Sequence, residues 1–301
     1  MKRPSNKTVD LFSPRQQRNW DWRAAANFIA GGAGGGLLLC AALFGPGPAE
    51  ARLAIVLGLL LIGSGLTCVW FEIGQPWRAL NVYRHISTSW MTREAVVALL
   101  VFAAGGLAWF FGQTALQLLA GFLGLAFLYS QARILAANKG IPAWRHPRSV
   151  PLMVSTGLAE GAGFVLAILA ISSASVGTAA LLGLIALLAV RALLWRQYLV
   201  ELAADGAPLG AIKVLRAISG RFLLLGHALP ATLVAMQMAG LPGGGGYVFI
   251  AGLLVVAAGW FLKFTLVRRA AFNQGLALQH LPVRGRGIAG PAVKPGWGNA
   301  G

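Results

Sequence analysis

Eight apolar runs, each about long enough to cross a bilayer, leave this chain few folds to choose from. They cover residues 24–45, 51–71, 95–112, 115–137, 151–172, 176–197, 221–240 and 246–267. A spanning helix needs about 20 such residues. The third run is short and is expected to begin inside the Trp90–Glu94 segment. The expected fold class is therefore an all-α integral membrane protein with eight transmembrane helices. Only 11% of residues are charged and 57% are apolar, whereas a soluble domain carries about 25% charged residues. The expected organisation is an N-terminal tail over residues 1–23, a membrane domain over 24–268 and a C-terminal tail over 269–301.

The connections alternate in character. Those near 46–50, 112–114, 173–175 and 241–245 are short and nearly uncharged. The others are longer and basic. Lys2, Arg3, Lys7, Arg15, Arg18 and Arg23 precede the first run, and Arg78, Arg84 and Arg93 lie between the second and third. Arg133, Lys139, Arg145 and Arg148 lie around the fourth-to-fifth connection. Arg191, Arg196, Lys213, Arg216 and Arg221 flank the next long connection, and Lys263, Arg268 and Arg269 stand at the end of the last run. Only Arg52 falls on the opposite side. The positive-inside rule then places both termini in the cytoplasm of a bacterial cell, with the chain in the inner membrane. Topology also accounts for the net charge of +17. There is no nucleic-acid-binding motif, and nucleic acid is not an expected partner. Met1–Arg23 is polar and lacks the apolar core of a cleaved signal peptide.

Gly31–Gly36 resembles a phosphate loop by composition alone. It lies inside an apolar run rather than between a strand and a helix, so close helix packing in lipid is the better reading. Gly161-Ala162-Gly163 in the fifth run matches Gly32-Ala33-Gly34 in the first. Four spans preserve direction, so the match points to two parallel four-helix halves.

Chemistry is concentrated in one polar stretch, Glu72 to Glu94, which lies between the second and third runs. A carboxylate beside hydrocarbon is costly and marks a candidate functional site. Glu72 closes one run and Glu94 opens the next. Glu160 lies about 18 Å along a helix from Arg148, at 1.5 Å per residue. A quinone takes or gives two electrons and two protons, so its headgroup needs polar donors and acceptors at membrane depth. Glu94, Glu72 and Glu160 are the candidate proton-transfer groups, with Arg78 and His227 as further candidates for binding the headgroup. Trp77 and Tyr83 are candidates for its entrance. Each has a plainer explanation: helix-end charge for Glu94, an ion pair with Arg78 or Arg133 for Glu72, topology charge for Arg78, packing for His227, and interfacial anchoring for the aromatic residues. His227 is the single histidine in a span, which disfavours a bis-histidine haem. Cys40 and Cys68 are too few for an iron–sulfur cluster. No metal site is expected in this chain.

The central stretch resembles the membrane-anchor subunits of the dimethyl sulfoxide reductase type. In that family the second span ends in a pattern like His-Leu-Gly-x-Pro-x-Arg-Ala-x-Asn, and a Ser-…-Arg/Asn-Glu segment opens the third. Here Glu72-Ile-Gly74-Gln-Pro76-Trp-Arg78-Ala79-Leu-Asn81 and Ser89-Trp-Met-Thr-Arg93-Glu94 match closely, and Ile141-Pro-Ala-Trp144 fits as well. Glu72 stands where the family has histidine. The resemblance implies quinone or quinol as cofactor and an iron–sulfur subunit as docked partner, which connects to a molybdopterin catalytic subunit. It also implies that Glu94 is a quinol-site residue. The segments Trp20–Asn27 and Arg269–Arg284 resemble anchors of phenylacetyl-CoA:acceptor oxidoreductases, and a cytoplasmic CoA-ester or sulfite oxidase fits the topology. The alternatives are a small eight-span transporter and a structural anchor without a quinone site.

Overall fold

In a computed structural model, residues 13–72 and 87–275 are described. Among them eight helices are long and apolar enough to cross a membrane: α1 Trp22–Phe44, α2 Pro48–Glu72, α3 Trp90–Phe111, α4 Thr114–Ala136, α5 Ser149–Ile171, α6 Thr178–Ala204, α7 Leu209–Met238 and α8 Gly245–Arg269. Helices suit this solvent because lipid offers backbone groups no partners. The described residues contain no β-strand, only an isolated antiparallel bridge between Gln16 and Phe272.

Helix ends follow local chemistry. Asp21 caps α1 by accepting from the Arg23 N–H, and the Arg23 guanidinium holds the Asp21 carboxyl below its ordinary range. Gly45 and Gly112 end α1 and α3 in left-handed backbone, where glycine pays no Cβ penalty. Ser89 caps α3, so this helix starts at Trp90 as the sequence indicates.

Two helices run further than their apolar runs. α6 continues to Ala204, and α7 begins at Leu209, twelve residues before the expected 221. The first part of α7 is amphipathic. Ala211, Ile212, Leu215, Ile218 and Phe222 are buried, while Lys213, Arg216 and Arg221 face outward. Those three cations read as loop charges in the sequence but belong to a helix face.

The bundle is two repeated groups. In the first, α1 packs on α2 and α4, and α3 packs on α4 and α2; in the second, α5 packs on α6 and α8, and α7 does so on the same two. The groups meet where α1 lies against α5. Gly32 faces Gly157 and Gly36 faces Gly161, so α1 and α5 run parallel, as two equivalent halves require. The other crossings on these central helices also use glycine: Gly34 on Gly58, Gly35 on Gly124, and Gly163 on Gly252. Lipid supplies no hydrophobic drive between helices, so close backbone approach and dispersion must hold the bundle. Leu60, Phe71, Phe110, Ile171 and Val200 project outward toward lipid.

A Cβ at Gly161 would overlap the Gly36 backbone. Gly161→Ala is therefore expected to destabilise the bundle by about 1–3 kcal/mol. A lowered melting temperature of the detergent-solubilised chain checks this; an unchanged one would contradict it.

At the end of the bundle where α1, α3, α5 and α7 begin, the segment before α1 pairs with the segment after α8. Gln17 N–H donates to Ala271 O, and Arg15 and Asn273 bond each other. Trp144, in the single helical turn Pro142–Arg145, is buried. It stacks on Trp20 at 4.8 Å and donates to Leu266 O at 2.8 Å. Trp144 is a core residue that ties this end together, rather than an interfacial anchor.

His146 follows that turn. Its Nδ1 accepts the Arg148 N–H and its Nε2 is 3.3 Å from Asp205. Burial pushes its imidazole below the ordinary histidine value despite Asp205. A depressed value favours the neutral folded form, so its contribution to stability is present above about pH 6.5. It is lost as pH falls through the lowered value. The acid side of a pH-stability profile should flatten in His146→Gln; an identical slope would contradict this.

Candidate functional site

Two buried polar clusters occupy the interior, one in each half, and α1 lies between them.

The first gathers Asn27 of α1, Glu94 of α3 and Gln131 of α4. Glu94 is 7% exposed and sits one turn into α3. Asn27 Nδ2 donates to Glu94 Oε1 at 3.3 Å, and Gln131 Nε2 donates to Asn27 O at 3.0 Å. Room for Gln131 comes from Gly31, where a Cβ would strike its side chain. Asn27 Oδ1 and Gln131 Oε1 are buried acceptors with no donor among the described residues. Glu94 thus faces the bundle interior instead of serving only as a helix-end charge.

The second cluster draws on all four helices of the other half. Glu160 of α5 and Lys263 of α8 form an ion pair at 2.6 Å, and both side chains are 0% exposed. Glu160 is the twelfth of 23 residues in α5, at its midpoint. Gly259 leaves space for Glu160, and Gly32 for Lys263, whose Nζ would be 2.6 Å from a Cβ there. Arg191 of α6 is fully buried and within electrostatic range of Glu160. Its Nε donates to His227 Nε2 at 3.0 Å, and its Nη2 donates to Gly226 O at 2.6 Å.

Proline explains that last bond. Pro230 has no N–H, so Gly226 O loses its usual helical donor four residues on. The helix widens into a π-turn over Leu224–Ala228. The freed carbonyl is taken by the guanidinium. His227 Nδ1 is 3.0 Å from Phe222 O. With Nε2 accepting from Arg191, Nδ1 carries the hydrogen and donates.

The sequence-indicated residues therefore divide. Glu94 stands in the first cluster, and Glu160 and His227 in the second, where His227 bonds Arg191 and no acid. Glu72 ends α2 beside α1, where Arg23 donates to the neighbouring Phe71 O at 2.8 Å. Among the described residues, the cation acting on the Glu72 carboxylate is Arg23. Arg78, Trp77 and Tyr83 lie outside the described residues.

Four residues were missed. Arg191 and Lys263 read as topology charges at helix ends, yet both are buried in the bundle interior. Asn27 and Gln131 carry no charge; their one sequence signal is a polar amide within an apolar run.

Two cavities lie outside these clusters. A polar hollow of about 870 Å³ is lined by Arg15, Gln16, Gln17, Arg18, Asp21 and Arg268 at the end where α1 begins. An apolar groove of about 950 Å³ runs between α2 and α3, lined by Trp22, Leu59, Thr67, Phe71, Phe102 and Trp109 among others. Among the described residues, no three His, Cys, Asp or Glu side chains gather as a metal site would require.

Comparison with known proteins gives a family and a relative. The family model described as DMSO reductase anchor subunit (DmsC) matches residues 48–204, from the start of α2 to the end of α6. A sulfite dehydrogenase subunit of Allochromatium vinosum is 34% identical over 150 residues. That match covers 42% of this chain and 45% of that protein, so the chain spans less than half the length of this relative.

Proposed function

Because this chain belongs to the DMSO reductase anchor subunit family, a family of membrane anchors for oxidoreductase complexes, we propose that it binds quinone or quinol beside Glu94. In this reading it exchanges electrons with an iron–sulfur subunit docked at the end where α1, α3, α5 and α7 begin. The observation that carries the reading is the first cluster. A buried carboxyl group stands beside two buried acceptors, Asn27 Oδ1 and Gln131 Oε1, that have no donor among the described residues. Quinol hydroxyls are donors of the complementary kind, so the residues present fit the headgroup. The bound quinone supplies two-electron, two-proton redox chemistry.

The chain's own residues then have separate tasks. Glu94 exchanges a proton with the headgroup oxygen. Asn27 holds Glu94 in place and offers its side-chain carbonyl oxygen, and Gln131, bonded to the Asn27 backbone, offers its own from α4. The apolar groove between α2 and α3 receives the isoprenoid tail. Glu72 and Arg23 connect this region to water at the helix ends, and Arg78, Trp77 and Tyr83 belong to the adjoining loop that forms the entrance.

Electrons reach or leave the site through the partner, whose iron–sulfur clusters connect to a molybdopterin-type catalytic subunit. The docking end carries Arg15, Arg18, Arg268 and Arg269. By the charge rule it faces the cytoplasm of a bacterial inner membrane, which suits a cytoplasmic oxidoreductase. The family is described as reductase anchors and the sulfite relative as part of a dehydrogenase. Membership supports a membrane anchor of an oxidoreductase; the proposed electron exchange takes its direction from the partner. Sulfite or a phenylacetyl-CoA-type ester is the proposed substrate class of the whole complex.

Purification of the tagged chain in mild detergent tests the anchor reading. Co-purifying iron–sulfur and molybdopterin-type subunits, with iron and molybdenum or tungsten present, are expected. A metal-free chain isolated alone from membranes that retain other such complexes would contradict it.

A further inference from the structure

The two clusters touch the same turn of α1. Gln131 of the first bonds Asn27 O at 3.0 Å, and Lys263 of the second lies 3.5 Å from Ile29 O. Gly31 faces Gln131 and Gly32 faces Lys263, so α1 contributes only backbone at both contacts, with Phe127 and Leu128 of α4 packed alongside. Six buried side-chain atoms among the described residues lack a hydrogen-bond partner. Five of these are Asn27 Oδ1, Gln131 Oε1, Glu160 Oε1, Arg191 Nη1 and Thr265 Oγ1. All five lie in the clusters or within one turn of them. They include a donor, three acceptors and a hydroxyl, a mixture that bound water satisfies and that a metal ion or an apolar ligand does not.

Charge supplies the second argument. With Glu160, Lys263 and Arg191 all ionised, the interior of the second half carries one net positive charge. An uncompensated charge in a low-dielectric interior is costly. Exchange of one proton with water removes it.

We propose that bound water along α1 joins the Glu94 cluster to the Glu160–Lys263–Arg191 cluster, making a proton relay that extends to the middle of the membrane. Its role in turnover rests on the quinone reading above; the link between the clusters does not. When Glu94 gives its proton to the headgroup oxygen, water returns one to the carboxylate. The Lys263 ammonium supplies that proton and becomes an amine. The summed charge of Glu160, Lys263 and Arg191 falls from +1 to zero, and water later restores the proton. No electrons move in these steps. Oxidation of quinol runs them in reverse. The groups facing Lys263 are Glu160 from α5, Arg191 with His227 behind it from α6 and α7, and the Ile29 carbonyl from α1.

The test uses the full chain in detergent without partners or quinone, with lysine labelled at Cε. The Lys263 resonance is assigned by its loss in Lys263→Arg. In the unaltered chain it should respond to pH, and in Glu94→Gln that response should be displaced by several tenths of a pH unit. A pH-invariant Lys263 signal would overturn the proposal, as would superimposable curves for the two chains. If Glu94→Gln does not fold, Gln131→Leu removes the other α1-facing member of the first cluster and should displace the curve as well. Quinone binding is absent from this experiment, so failure of the relay and failure of the quinone site are read separately.

Discussion

Glu94→Gln should reduce quinone-linked turnover of the assembled complex about 100-fold or more, the usual contribution of a positioned acid–base group. The exchange is nearly isosteric. Asn27 Nδ2 can still donate to the side-chain oxygen, and the Ser89 cap that starts α3 is untouched. Assembly with the partner should therefore persist, and electron transfer within the soluble subunits to an artificial acceptor should be normal. What is lost is the capacity to hold and pass a proton beside the headgroup. Asp at this position should recover part of the rate, because it keeps the acid with a shorter reach. Normal quinone-linked turnover in an assembled Glu94→Gln complex would remove Glu94 from the chemistry and favour an anchor that only tethers.

Glu160→Gln should be among the most destabilising single exchanges in the membrane interior. Removing one partner of a buried ion pair costs about 3–5 kcal/mol, because the other charge stays buried without compensation. Here the loss is worse than for an isolated pair. Lys263 would remain with Arg191, giving two buried cations and no anion. Lys263→Met leaves Glu160 facing Arg191, a balanced pair, and should cost distinctly less despite removing the same 2.6 Å bond. Thermal unfolding of the two variants in one detergent, with yield as a second readout, checks the order. Equal losses, or a larger loss in Lys263→Met, would show that Arg191 does not share the charge balance.

The helices were legible because bilayer crossing demands length and apolarity, both local properties of the sequence. The place where α3 begins was readable for the same reason: its apolar run alone is too short to cross, and the helix starts at Trp90 behind the Ser89 cap. The start of α7 was not readable from apolarity. Its first turns bury one stripe only, and Lys213, Arg216 and Arg221 on the other face mimic a loop. Underestimating that helix and α6 had a second effect. Arg191 looked like a charge near a helix end, whereas the longer α6 carries it into the bundle; Lys263 lies on α8, whose run was read nearly correctly, and is buried because Glu160 of α5 pairs with it. The family pattern and the cost of a membrane carboxylate both pointed to Glu94. Its partners Asn27 and Gln131 come from α1 and α4, and their approach depends on glycine at position 31. Glu160 could be suspected alone, but its pairing with Lys263 joins residues 103 apart in sequence. No spacing rule within one helix reaches that far.

The central claim is that quinone binds beside Glu94, in the first half of the bundle. A photoreactive quinone analogue added to the purified complex, with the labelled peptides identified by mass spectrometry, tests it most directly. The account predicts labelling in the segments that carry Asn27, Glu94 and the α2–α3 groove, suppressed by excess quinone and strongly weakened in Glu94→Gln. Competable labelling confined to α5–α8, with none on α1 to α3, would contradict it.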